Sequence, residues 1–231
     1  MKLYQVRTVN CSADYPDVTC RGFTAYDLTQ RVIVISFRGS HGTNQMIQLN
    51  DGFANDGIQE YFDKTGKIFK TVYDSFMLLW NGGMYQDIKN LKYRYPDFEL
   101  WVNGHSLGGM LSWVASSYLV ISGLYKPENI KVVTMASPRL GDYNFAVWYT
   151  GTFPYSYHII HRNDGVPRSL KIDPHTNTTE LFHPRTQVCD AVTDGLTMED
   201  HLYYFDVCMP VWGRDGCPKN RTAYAQPVDQ L

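Results

Sequence analysis

The chain has 231 residues, 44% of them hydrophobic and 19% charged, and its 21 Lys and Arg nearly balance 23 Asp and Glu for a net charge of −2. This is globular material of a size that buries roughly 70–75% of its unfolded surface, which excludes a disordered or collagen-like chain. The charge balance and the lack of a Lys/Arg cluster argue against a nucleic-acid or anionic-membrane binder, and no run approaches the ~18 apolar residues of a membrane span.

The cysteines come first in chain order. There are five, an odd number: Cys11, Cys20, Cys189, Cys208 and Cys217. Cys11 with Cys20 and Cys208 with Cys217 form two short-range pairs. No CxxC occurs, and no His/Cys spacing matches a common zinc site, so no metal is expected. Sequons at Asn10, Asn177 and Asn220 fit an oxidising, secretory setting; five free thiols in a cytosolic protein is the alternative. The first residues, MKLYQVRTVNCS, lack the apolar stretch of a signal peptide, so a secreted protein would have its leader outside this sequence.

Short apolar runs predict buried strands at 32–37, 98–102, 130–135 and 155–160. Helical periodicity covers 68–81 and 84–93, joined at Gly82-Gly83, and then 107–121, ending near Gly123. Pro96 and Pro127 break the chain ahead of the strands that follow. No repeat or linker divides the sequence, so 1–231 reads as one domain. Apolar strands alternating with helices imply an α/β fold with a mainly parallel sheet covered on both faces.

The strand at 98–102 runs into Asn103-Gly104-His105-Ser106-Leu107-Gly108-Gly109 and then a helix. That is G-x-S-x-G between a strand and a helix, the setting of a nucleophile elbow. A serine at the tip of so tight a turn takes strained backbone angles, and strand and helix approach too closely for side chains at Gly104 and Gly108. Ser106 then stands at a helix start, where free N–H groups favour a developing oxyanion, the backbone N–H of Leu107 first among them. A serine nucleophile needs a base and an orienting carboxylate. Asp164 lies just past the strand at 155–160, where α/β sheets place their sites, and His201 lies in a loop before an aromatic segment. His183 competes for the role of base, and Asp142, Asp173 and Asp194 for that of the acid. His105 reads as a packed core residue directed away from the nucleophile, and a metal pair at His158 and His161 is disfavoured.

These residues resemble the class 3 lipases, the fungal-type triacylglycerol lipases and their animal relatives. Phe37-Arg38-Gly39-Ser40 is similar to the family's F-R-G-[ST], and Gly104 to Gly109 to its G-H-S-L-G-G. Pro138-Arg139-Leu140-Gly141-Asp142 resembles its P-R-x-G-[DN]. Asn163-Asp164-Gly165-Val166-Pro167 resembles its N-D-x-V-P, and Asp200-His201-Leu202-Tyr203-Tyr204-Phe205 its D-H-x-x-Y-F. Five motifs in family order span nearly the whole chain.

The resemblance implies an α/β-hydrolase fold and a triad of Ser106, Asp164 and His201, in agreement with the reading made without it. It assigns Asp142 to a structural loop and adds Ser40 as a second oxyanion donor, which fits its place just past the strand at 32–37. It implies a lid after Ser40, in which Met46, Ile47 and Leu49 are the candidate covering residues and Gly42 and Gly52 the hinges; an ordinary surface loop is the alternative. It also implies an N-terminal segment ahead of this start, with a cysteine that pairs with the counterpart of Cys217, and a longer loop at 188–189 holding a further cysteine. On that reading Cys217 and Cys189 are left unpaired.

The expected activity is hydrolysis of carboxylic esters, acylglycerols first, without metal or organic cofactor and with transient contact to a lipid interface. An esterase for soluble or feruloyl-type esters is the alternative within the class. A catalytically silent, secreted lipid-binding or antigenic protein is the alternative outside it.

Overall fold

The computed structural model describes residues 1–184, 186–189, 195–215 and 217–225. It opens on an antiparallel hairpin that the apolar runs did not announce, β1 (Lys2–Asn10) and β2 (Thr19–Asp27), which leads into β3 (Val32–Phe37). The connection between β2 and β3 turns on Asp27, whose carboxylate accepts the N–H groups of Thr29 and Gln30, a local turn that an Asp side chain favours. Cys11 and Cys20 are disulfide-bonded and close the other end of the hairpin.

The chain then forms α1 (Thr43–Asp56), a small hairpin of β4 (Ile58–Glu60) and β5 (Lys67–Phe69), α2 (Lys70–Leu79), a π turn at Trp80–Met84 and α3 (Tyr85–Arg94). The helix expected from residue 68 starts at Lys70. Ile68 and Phe69 pair instead with Gln59 and Ile58, a non-local pairing that periodicity cannot register. The expected joint at Gly82-Gly83 is the π turn, where Gly83 takes φ 121° and the Arg7 guanidinium fills the place of a side chain. Arg7 is held there by its ion pair with buried Asp87 at 2.6 Å.

The second half alternates: β6 (Glu99–His105), α4 (Leu107–Ile121), β7 (Ile130–Met135), α5 (Tyr143–Thr152), β8 (Ser156–Ile160), α6 (Gly165–Arg168) and β9 (Thr186–Cys189). A last hairpin, β10 (Tyr203–Tyr204) and β11 (Val207–Cys208), precedes α7 (Met209–Arg214). The main sheet has the order β1-β2-β3-β6-β7-β8-β9, antiparallel through β3 and parallel from β3 onward. With helices packed on it, this is an α/β-hydrolase fold.

Helix α4 is buried along nearly its whole length. Its serines survive burial because Ser112, Ser116 and Ser117 return their hydroxyls to carbonyls of the preceding turn at 2.8–2.9 Å, so none of these three hydroxyls is left unpaired in the core. The segment 41–52, expected to be a lid-like loop, is largely helical. Leu49 and Phe53 of α1 are buried in the core, and Phe53 lies against Phe69 with ring centroids 4.2 Å apart. Gly52 sits inside α1 rather than at a hinge, and a Cβ there would meet the Thr71 hydroxyl at 2.1 Å.

The short-range Cys208–Cys217 pair is absent: Cys189, Cys208 and Cys217 are free thiols. Helix α7, six residues long, lies between the last two, and the Cys217 N–H turns back to its Trp212 carbonyl at 2.9 Å.

Candidate active site

Ser106 sits between the last residue of β6 and the first of α4, with φ 57° and ψ −126°. This region costs a non-glycine residue about 1–3 kcal/mol and persists only where the surroundings enforce it. The enforcement is steric. A Cβ on Gly104 would lie 2.1 Å from the Gly108 carbonyl oxygen, and one on Gly108 would lie 2.2 Å from the Phe37 carbonyl oxygen. Strand β6, helix α4 and the end of β3 therefore meet backbone to backbone, and the Ser106 N–H is tied to the Met135 carbonyl at 2.9 Å.

His201 meets this serine. Its Nε2 lies 3.0 Å from the Ser106 Oγ, and its Nδ1 lies 3.0 Å from each carboxylate oxygen of Asp164. Two acceptors at Nδ1 place the ring proton there, which leaves Nε2 to accept from the serine hydroxyl. All three residues are buried, Asp164 completely. Asp164 Oδ1 accepts the Val166 N–H at 2.9 Å, and Oδ2 accepts the Tyr204 hydroxyl at 2.8 Å. The same Tyr204 oxygen accepts the His161 N–H at 3.0 Å.

The loops that carry Asp164 and His201 are clipped to one another. Thr197 donates its N–H to Asn163, Gly165 donates to Thr197, and the Asn163 N–H reaches the Asp200 carboxylate at 3.1 Å. His105 contributes as well, which corrects its reading as a core residue directed away from the site. Its Nε2–H donates to the His201 carbonyl at 2.8 Å, and the two rings lie 4.7 Å apart. Desolvation, aided by the nearby His201, pushes the His105 pKa down to about 4, so it is neutral at physiological pH.

The competing residues are engaged elsewhere. His183 donates to the Pro167 carbonyl at 2.7 Å and packs on His158. His158 in turn accepts the Ser137 N–H at 3.0 Å. Asp142 caps α5 through the Phe145 N–H and also accepts from Lys67, the structural role the motif implied. Buried Asp173 accepts from His175 and Thr176 within its own turn. Asp194 lies outside the described residues.

Leu107 is the first residue of α4, so its N–H has no acceptor within the helix. The chain at Gly39 passes directly beside the elbow: a Cβ there would lie 3.0 Å from the His105 carbonyl oxygen and 3.3 Å from the Ser106 Cβ. Ser40 follows at once. Of the three candidate lid residues, Met46 and Ile47 are exposed on α1, whereas Leu49 is buried. Among the described residues no group of three or more His, Cys, Asp or Glu could hold a metal, and no helix is long and apolar enough to cross a membrane.

Tyr204 and His105 lie within the D-H-x-x-Y-F and G-H-S-L-G-G motifs, which by themselves assign neither a site role. The signal for Tyr204 was its phenol three residues after the histidine; for His105 no sequence signal distinguishes a packed imidazole from one aimed at another loop.

The family model for "Lipase (class 3)" matches residues 34–173. An uncharacterized protein of Caenorhabditis elegans is 42% identical over 98% of this chain and 89% of its own length. A secreted mono- and diacylglycerol lipase of Fusarium solani is 28% identical over 84% of this chain and 64% of its own length. Among solved structures, the lipase of Rhizopus microsporus var. chinensis superposes with a TM-score of 0.70 at 23% identity, covering 88% of this chain and 74% of that one.

Proposed function

Because the chain belongs to the class 3 lipases, carboxylic ester hydrolases, we propose that it cleaves acylglycerols through an acyl-enzyme formed on Ser106. The Ser106 hydroxyl attacks the ester carbonyl while His201 Nε2 takes its proton, and Asp164 fixes the imidazole tautomer and stabilises the imidazolium that forms. The N–H groups of Leu107 and Ser40 receive the oxyanion of the tetrahedral intermediate, an interaction worth about 3–4 kcal/mol per donor in comparable sites. Collapse expels the alcohol, which takes the proton back from His201. Water then attacks the acyl-enzyme by the same route and releases the carboxylic acid. His105 and Tyr204 act as positioning residues, one on the backbone of the base and the other on the carboxylate. No step calls for a cofactor.

The observation that carries this reading is the continuous relay Ser106 Oγ–His201–Asp164, each contact at 3.0 Å and all of it buried. The preference for acylglycerols is supported by the apolar residues Leu196, Met198, Leu202 and Phe205, exposed on the segments flanking His201. Met46 and Ile47 are likewise exposed on α1, giving lipid apolar side chains to wet and α1 a role as a cover. Secretion is supported by the Cys11–Cys20 disulfide and by secreted relatives such as that of Fusarium solani.

Fluorophosphonate labelling joined to nitrophenyl ester turnover tests the assignment. The protein labels and turns over, and Ser106→Ala does neither. Failure of the native protein to label overturns the reading in favour of a silent lipid-binding protein. A chain-length series with and without an oil interface then separates acylglycerol from soluble-ester chemistry: faster turnover of long acyl chains at the interface supports the lipase, and acetyl preference without interfacial gain supports the esterase.

A further inference from the structure

Gln45 is a polar side chain buried to 1% exposure in the first turn of α1. Its Oε1 accepts the N–H of His41 at 2.7 Å, and its Nε2 points at both sulfurs of the Cys11–Cys20 disulfide, 3.7 Å from Cys11 Sγ and 3.9 Å from Cys20 Sγ. His41 directly follows Ser40. Because the peptide unit is planar, holding the His41 N–H also holds the Ser40 carbonyl, and with it the rotation of the Ser40 backbone.

The other side of this short segment is tied to the same hairpin. The Arg38 N–H donates to the Arg21 carbonyl at 2.9 Å, and the Arg38 guanidinium donates to the Thr19 carbonyl at 2.5 Å. Gly39 and Ser40 are thus stretched between two anchors, and both stand on the ends of β1 and β2 that the disulfide closes. Asn44 adds a third tie, from α1 to Asp17 of the same loop at 2.9 Å. A buried amide is retained where its hydrogen bonds are made. These bonds run from the disulfide to the residue after the proposed oxyanion donor.

We infer that Gln45, seated on the Cys11–Cys20 disulfide, is a positioning residue that sets the Ser40 backbone N–H for the oxyanion. The inference rests on the proposed ester hydrolysis. It adds a function for the N-terminal hairpin, which contributes no side chain to the relay, and for the disulfide, whose effect then extends from stability to rate. A donor displaced by about 1 Å loses much of its effect, since misplacement on that scale costs on the order of 100-fold. A loosened Ser40 acts on the transition state and leaves ground-state binding alone.

The test uses the whole chain, a nitrophenyl butyrate ester and its thionoester, in which sulfur replaces the carbonyl oxygen that the donors are built to hold. Gln45→Met keeps the volume and removes the acceptor. It is expected to lower kcat 10- to 100-fold with KM within about twofold, and to narrow the oxo-over-thiono preference by a similar factor. Gln45→Glu returns an acceptor to the His41 N–H but removes the donor to the sulfurs, and is expected to recover kcat only in part, to between the Gln45→Met and native values. The Cys11→Ala, Cys20→Ala pair is expected to lower kcat in the native background and to have little further effect in Gln45→Met.

An unchanged kcat in folded Gln45→Met overturns the inference, as does a loss of kcat with the oxo-over-thiono preference intact. If Gln45→Met does not fold, the cysteine pair carries the same test through the thionoester ratio. Loss of all turnover by the native protein would overturn the ester-hydrolase reading instead, so the two failures are distinguishable.

Discussion

Ser106 and His201 face each other at 3.0 Å, yet they are held by different means. On the serine side the restraint is backbone against backbone: the elbow closes over Gly104 and Gly108 so tightly that neither position has room for a methyl group. On the histidine side there is no such enclosure. Residues 197–201 are held by hydrogen bonds to the Asp164 loop, by the His105 ring beneath the His201 carbonyl, and by Tyr204 from the two-residue strand β10. The hairpin that presents Tyr204 turns through Phe205 and Asp206, both at positive φ, a turn that Asn-Gly makes with less strain. Ser106, the proposed nucleophile, is therefore fixed by excluded volume, and His201, the proposed base, by a set of separable polar contacts. Damage to the first should be all-or-none and damage to the second graded.

The largest effect expected is on chemistry. Ser106→Ala should reduce ester turnover by about 10⁴-fold or more, as loss of a nucleophile does in comparable triads, with an unchanged circular dichroism spectrum. Next comes Gly108→Ala, which drives a Cβ to 2.2 Å from the Phe37 carbonyl oxygen. It should destabilise the fold by about 4 kcal/mol or more, read as a shift in urea midpoint, and a stable, active variant would refute the excluded-volume account of the elbow.

Tyr204→Phe probes the graded side. It removes one donor to Asp164 and one acceptor from the His161 N–H, and should cost about 1–3 kcal/mol of stability with kcat reduced about tenfold rather than abolished. A loss as complete as that of Ser106→Ala would erase the distinction between the two sides.

Acid should also act on the histidine-rich parts first. Burial pushes His105 and His183 down to about 4 and lowers His158 well below the ordinary imidazole range. Above pH ~6.5 these groups are neutral folded or unfolded, and their contribution to stability is complete. As pH falls from there toward 4 the unfolded chain binds protons that the native one refuses, so stability is lost across that window, on the order of 3 kcal/mol for each of the two. For these two the loss levels off below 4, where both protonate in place. Urea midpoints measured between pH 7 and 4 should fall monotonically, and a flat profile would contradict the burial of these rings. The smallest effect belongs to the exposed residues of α1: Met46→Ser should leave stability within about 0.5 kcal/mol and lower turnover of emulsified substrate more than that of a soluble ester.

The sequence by itself determined the parts of this protein that depend on local chemistry. Strands β3, β6, β7 and β8 were visible as apolar runs because they are buried in a parallel sheet, and the elbow was visible because glycine is the residue that tolerates so close a backbone approach. Asp164 stood out because it follows an apolar strand, and His201 because it lies in a loop before an aromatic segment, in the order the proposed chemistry needs. The tertiary structure decided the rest. Hairpin β1–β2 carried no clear apolar run because much of β1 is exposed. The stretch after Ser40 became a helix because Leu49 and Phe53 found a core to enter, and Cys208 and Cys217 stand as free thiols at the two ends of the α7 segment. His105, Tyr204 and Gln45 look ordinary in sequence. Each bonds to a residue 96, 40 or as few as 4 positions away, and what makes the bond matter is the buried place the fold gives it, which no spacing along the chain records.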